Sequence, residues 1–64
     1  MNSREIIRIL EAEGWRLETV RGSHHHFKIP GKVGKTTVPH PVKDVTLKTV
    51  ISIEKQSGVK LRKR

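Results

Sequence analysis

Trp15-Arg16-Leu17-Glu18-Thr19-Val20-Arg21-Gly22-Ser23-His24-His25-His26-Phe27-Lys28-Ile29 is the stretch that decides the fold. Trp15, Leu17 and Thr19 alternate with Arg16, Glu18 and Val20, the period of two that a strand imposes. Arg21-Gly22-Ser23 then supplies a turn signal, and His24 to Ile29 reads as a second strand. Successive strand side chains point to opposite faces, so His25, Phe27 and Ile29 go one way and His24, His26 and Lys28 the other. Phe27 and Ile29 are apolar and mark the core side. His24, His26 and Lys28 are therefore expected on the open face.

Working outward, Ser3 reads as the N-cap of a helix carrying Ile6, Ile7, Leu10 and Ala12, with Gly14 ending it at a position that favours positive φ. Trp15, directly after, reads as a core anchor. On the other side, Pro30 to Gly34 is a loop rich in strand-breaking residues, and Lys35 to Val38 is a short third strand. The strand stops at Pro39, and Pro39-His40-Pro41 is expected to be extended, because proline disfavours helix in the residue before it. Thr46 is the expected N-cap of a second helix, with Leu47, Val50 and Ile51 on one face and Ile53 beside them, closed by Ser57-Gly58. The basic tail, residues 60–64, has few apolar anchors and is expected to fray. The class is α+β, in the order α-β-β-β-α. Two amphipathic helices can pack on one face of a three-stranded antiparallel sheet and leave the other face to solvent or ligand.

The chain has 64 residues, which fits one domain, expected over residues 1–59. A domain of roughly 60 residues buries only about 60% of its unfolded surface, so its core is thin. There is no cysteine, which is compatible with a reducing cytoplasm. No apolar run approaches the roughly 20 residues needed to span a bilayer, and Met1 to Glu5 is not followed by a signal-like apolar stretch, so no membrane partner is expected. Fourteen Lys and Arg against six Asp and Glu give a net charge of +8. Such a balance attracts polyanions: nucleic acid, an anionic membrane surface or an acidic protein. It also serves solubility.

Three chemistries suit the histidine face. His24 and His26 share a side and His40 is a candidate third, but zinc sites need three or four ligands and no third is assured, so no metal is expected. Histidine can take and give a proton near neutral pH, and RNA offers a matching reaction, attack of its 2′-OH on the adjacent phosphorus. The same residues can also bind phosphate without chemistry. His25, on the core side, is expected to be half-buried with a satisfied hydrogen bond. His40, between two prolines, reads as a surface residue or a hydrogen-bonded brace. With no Tyr and one Phe, base stacking on aromatic side chains is nearly absent.

Ser3-Arg4-Glu5 opening a helix, Gly14-Trp15, Gly22-Ser23-His24-His25, Val38-Pro39-His40-Pro41 and Ile53-Glu54-Lys55-Gln56-Ser57-Gly58 together resemble the HicA (YcfA-like) toxin family, over Ser3 to about Val59. The resemblance implies a double-stranded-RNA-binding-domain-like fold. It also implies a ribosome-independent mRNA interferase of a type II toxin–antitoxin pair, with a HicB-like antitoxin covering its active site. The family's catalytic histidine follows a Gly-Ser pair, here His24, with Gly22 and Ser23 as its frame. His26 stands where the family is variable. On this reading His24 is the general acid or base, and Ser23 orients the imidazole or donates to a phosphate oxygen. Lys28 and Lys35 hold phosphates, His26 lines the RNA face, and no metal or other cofactor is required. The alternative is a non-catalytic RNA-binding module.

Overall fold

In the computed structural model, which describes residues 1–62, the elements are α1 (Ser3–Ala12), β1 (Arg16–Arg21), β2 (His24–Lys28), β3 (Thr36–Pro39) and α2 (Leu47–Ser57). The strands form one antiparallel sheet in the order β1-β2-β3. The α-β-β-β-α order is the expected one.

Helix α1 is capped one residue earlier than expected. Asn2, not Ser3, is the N-cap: its Oδ1 accepts from Glu5 N–H at 2.8 Å, and Glu5 Oε1 accepts from Asn2 N–H at 2.9 Å. This reciprocal pair is a capping box, and it frees the Ser3 hydroxyl for other partners. Ile6 and Leu10 are fully buried, Ile7 and Ile9 partly so, and Ala12 is exposed. In α2 the Thr46 hydroxyl accepts from Thr49 N–H at 3.3 Å, and Gly58 closes the helix in a left-handed conformation. The buried stripe is Val50, Ile53 and Ser57, at i, i+3 and i+7. Leu47, expected on that face, is 64% exposed.

The core joins Ile6 and Leu10 to Trp15, Phe27, Val38, Val45, Val50, Ile53, Val59 and Leu61. Strand β1 contributes no buried residue: Leu17 and Val20 are 49% and 50% exposed. The register shifts between Leu17 and Thr19, and Leu17 pairs with Phe27, Thr19 with His26, and Val20 with His25. A bulge adds one residue to one strand and reverses the parity beyond it. Directly opposed residues share a face, so Leu17 and Val20 lie on the helix side and Thr19 on the open side. The simple alternation had put Thr19 with Leu17 and Val20 opposite.

The tail differs from expectation too. Val59 and Leu61 are buried, and the Glu54 carboxylate accepts from Leu61 N–H at 2.8 Å, Arg62 N–H at 3.1 Å and Arg62 Nε–H at 2.8 Å. Residues 60–62 thus fold back on α2, and the two remaining tail residues of the expected fraying segment lie outside the described residues. Two apolar side chains and one multiply bonded carboxylate outweigh the basic composition. Lys32 closes the same end: its ammonium donates to Ser57 O at 3.2 Å and lies 5.5 Å from the Trp15 ring centroid.

Candidate functional site

The β1–β2 hairpin turns on two residues, Gly22 and Ser23, between the paired Arg21 and His24. Gly22 has φ +58° and Ser23 is not at positive φ, the pattern of a turn with glycine at its first central position. A Cβ at Gly22 would meet nothing within 4 Å, so the backbone conformation is what requires glycine there. The turn is pinned from behind: Ser23 O accepts from His40 N–H at 2.8 Å. The frame and the histidine that follows it are therefore held by the chain after β3.

Register then fixes the faces. Arg21, His24 and Pro39 form one cross-strand row, and Thr19, His26 and Thr37 the next; Arg16 pairs with Lys28. His25 pairs with Val38 and Phe27 with Thr36, and Phe27, Thr36 and Val38 are all buried. His24, His26 and Lys28 accordingly occupy the open face, as strand parity requires. His24 is exposed, and its imidazole has no hydrogen-bond partner among the described residues. His26 is half-buried, its Nδ1 2.8 Å from Thr37 Oγ1. His24 lines a cavity of about 400 Å³ with Thr37 and Pro39 of the sheet and Lys48, Thr49, Ser52 and Gln56 of α2.

The other histidines face away. His40 Nδ1 lies 2.6 Å from Ser3 Oγ, which also accepts from Val42 N–H at 2.9 Å. His40 is thus a brace between α1 and the hairpin turn, and the His40–Pro41 peptide bond is cis. The His25 and His40 rings meet edge to face, centroids 4.9 Å apart. His25 Nδ1 is buried without a hydrogen bond among the described residues, contrary to the expected satisfied bond. His40 does not join His24 and His26, and no three His, Cys, Asp or Glu gather to hold a metal ion among the described residues.

Lys28 and Lys35 stand apart from the His24 cavity. Lys28 is four residues along β2, roughly 13 Å at about 3.3 Å per residue, beside Leu17, Ile29 and Pro30. Lys35 is ion-paired with Glu18 at 3.1 Å. Two cations share the surroundings of His24: Arg21, its register partner, and Lys48, which lines the same cavity; neither has an ion-pair partner among the described residues. Sequence reasoning passed over both. Arg21 was readable from a two-residue hairpin, which sets the residues flanking the turn opposite each other. Lys48 had no signal, because only the packing of α2 brings it near β2.

Among the described residues no helix is long and apolar enough to cross a membrane. Compared with curated proteins, the chain has no significant match. A solved structure described as a HicA3 and HicB3 toxin–antitoxin complex contains a chain of similar fold. It is 35% identical, with a TM-score of 0.76, and the alignment covers 95% of this chain and 98% of that one. A family profile described as HicA toxin of bacterial toxin–antitoxin matches residues 3–59. With the Gly-Ser-His turn, the α-β-β-β-α order and this match over most of its length, the chain belongs to the HicA toxin family.

Proposed function

We propose that this protein is the toxin of a type II toxin–antitoxin pair and cleaves mRNA as a metal-independent, ribosome-independent endoribonuclease, with His24 as the proton-transfer group. The observation that carries the reading is the His24 imidazole, set on a pinned hairpin turn and facing a cavity with no protein partner among the described residues. An imidazole left unengaged in a basic cleft is available to a substrate proton.

In the proposed reaction His24 removes the proton from a ribose 2′-OH. The O2′–P bond forms, the P–O5′ bond breaks, and the 5′-oxygen takes a proton from solvent or from the imidazolium. The products are a 2′,3′-cyclic phosphate and a 5′-OH end. Arg21 lies beside His24 in the register and would offset the charge growing on the phosphate oxygens. Gly22 and Ser23 hold the turn, and Ser23, exposed next to His24, would orient the imidazole or donate to a phosphate oxygen. His26, fixed by Thr37, would line the RNA path, while Lys28 would meet a phosphate further along the strand. Lys35 would reach RNA only in competition with Glu18.

A HicB-like antitoxin is the expected protein partner, covering this face. The similar chain from the HicA3 and HicB3 complex supports that reading. Expression of His24→Ala beside the wild type tests the chemistry. The wild type should cleave mRNA, leave cyclic-phosphate ends and arrest growth, undiminished by EDTA, and the variant should do none of this. Cleavage retained by His24→Ala would overturn the assignment. RNA binding without cleavage by the wild type would leave a non-catalytic binding module. Co-purification with the product of the neighbouring reading frame, with loss of activity, tests the partner.

A further inference from the structure

The α2 side of the His24 cavity is a wall of hydrogen-bond donors that the catalytic reading does not use. Lys48, Thr49, Ser52 and Gln56 recur at i, i+1, i+4 and i+8, a polar stripe beside the buried stripe of Val50, Ile53 and Ser57. Its internal bonds orient it. Gln56 Oε1 accepts from Thr37 N–H at 2.8 Å, which ties the helix to the outer edge of β3. Gln56 Nε2 donates to Ser52 Oγ at 3.0 Å, and the Thr46 hydroxyl donates to Thr49 Oγ1 at 3.0 Å. Ser52 and Thr49 thus accept from protein and keep their own hydrogens for a ligand. Lys48 is exposed and has no carboxylate partner among the described residues. The three side chains together offer an ammonium and two hydroxyl hydrogens to a cavity whose other wall is His24.

A ligand that suits this wall is anionic and rich in acceptor oxygens. We infer that Lys48, Thr49 and Ser52 form a phosphodiester subsite facing His24, with Lys48 on the phosphate whose bond is broken. The inference rests on the ribonuclease reading and adds to it the cation that the lysines expected from sequence do not supply at that point. Lys28 lies too far along β2, and Lys35 is held by Glu18. A lysine there neutralises charge that grows in the transition state, so its loss affects turnover as well as binding.

The experiment compares wild type with Lys48→Gln, Lys48→Arg, Ser52→Ala and Lys55→Gln. Lys55 is exposed on the same helix outside the cavity, so its variant removes the same charge elsewhere. Two readouts are taken: cleavage of a single-stranded RNA oligonucleotide, and salt-dependent binding of its 2′-deoxy counterpart, which cannot be cleaved by attack of a 2′-OH. Lys48→Gln should lower kcat/KM about 10- to 100-fold, the range of a charge-assisted contact. It should also flatten the slope of log affinity against log salt by about 0.7, one phosphate contact on a single strand. Lys48→Arg should restore most of both, Ser52→Ala should weaken binding several-fold, and Lys55→Gln should change neither slope nor cleavage. Lys48→Gln matching Lys55→Gln in both readouts would overturn the subsite and leave His24 chemistry standing. If the wild type does not cleave, the ribonuclease reading fails. The slope then decides the subsite alone: retained loss in Lys48→Gln supports it, and an unchanged slope rejects it.

Discussion

Ser3→Ala is the perturbation that best separates the structure from its sequence reading. Ser3 is 2% exposed, and its hydroxyl serves two partners at once, Val42 N–H at 2.9 Å and His40 Nδ1 at 2.6 Å. Alanine leaves the Val42 N–H without that acceptor, at a cost of about 1–3 kcal/mol, and removes the second bond at about 1 kcal/mol more. The better helix propensity of alanine returns at most about 0.7 kcal/mol. The net loss is about 2 kcal/mol. For a domain of this size each kcal/mol shifts Tm by about 4–8 °C, so the expected fall is roughly 8–16 °C. Thermal and urea unfolding followed by circular dichroism would measure it, with Asn2→Ala as the comparison. Losing the cap should cost about 1 kcal/mol. The expected order is therefore Ser3→Ala more damaging than Asn2→Ala. The effect should also reach the site, because His40 N–H holds Ser23 O beside His24: amide exchange at His40 should accelerate. A Ser3→Ala loss below about 0.5 kcal/mol, within the range of ordinary surface changes, would refute the bracing role.

Gly22→Ala should cost about 1 kcal/mol or more from the positive φ alone and displace His24, so cleavage should fall further than stability; equal RNA cleavage would count against the turn as its frame. Glu54 is held below the ordinary carboxylate range, first by the Leu61 N–H, then by the Arg62 N–H and guanidinium, with partial burial opposing them. A depressed folded pKa gives stability that is present above the unfolded value, about 4.3, and is lost as pH falls through the folded value. Melting across pH 2–7 (a range of about five units around the carboxylate pKa) should therefore show Glu54→Gln less stable than wild type at neutral pH and converging with it in acid; a constant gap would sink this account. Leu61→Ala should lose about 2–5 kcal/mol, the range for a buried leucine, whereas a frayed tail would show no change in the urea midpoint. Thr36→Val should be neutral or stabilising by about 1 kcal/mol, because the buried Thr36 hydroxyl has no hydrogen-bond partner among the described residues; a clear drop in Tm would reveal one.

How much of this was legible in the chain varies with the range of the interaction. Helix α2 began and ended where Thr46 and Gly58 say, because capping acts within a turn of backbone. Helix α1 slipped by one residue because Asn2 and Ser3 are both good caps, and the choice depended on where the Ser3 hydroxyl found partners 37 and 39 residues away. The order of elements and the open side for His24 followed from period and parity, which are local. The Glu18 bulge was not legible, since nothing in Leu17-Glu18-Thr19 marks it, and it exchanged the faces of Thr19 and Val20. The tail misled for a similar reason. Its charges are visible in sequence, but the Glu54 carboxylate that holds Leu61 and Arg62 is seven and eight residues away across a left-handed turn.

By itself, then, the sequence determined the hairpin, its glycine turn and the placing of His24 at the first residue of β2, because strand period and turn chemistry are set by neighbouring residues. Tertiary packing alone decided what surrounds that histidine. It sent His40 to Ser3 and His25, away from His24, and left Lys35 with Glu18. It also set the Lys48 edge of α2 beside β3, where it lines one cavity with His24. The physical reason is that α2 must bury Val50 and Ile53 against Phe27 and Val38, and the rotation that does so fixes which polar residues lie one step around the helix.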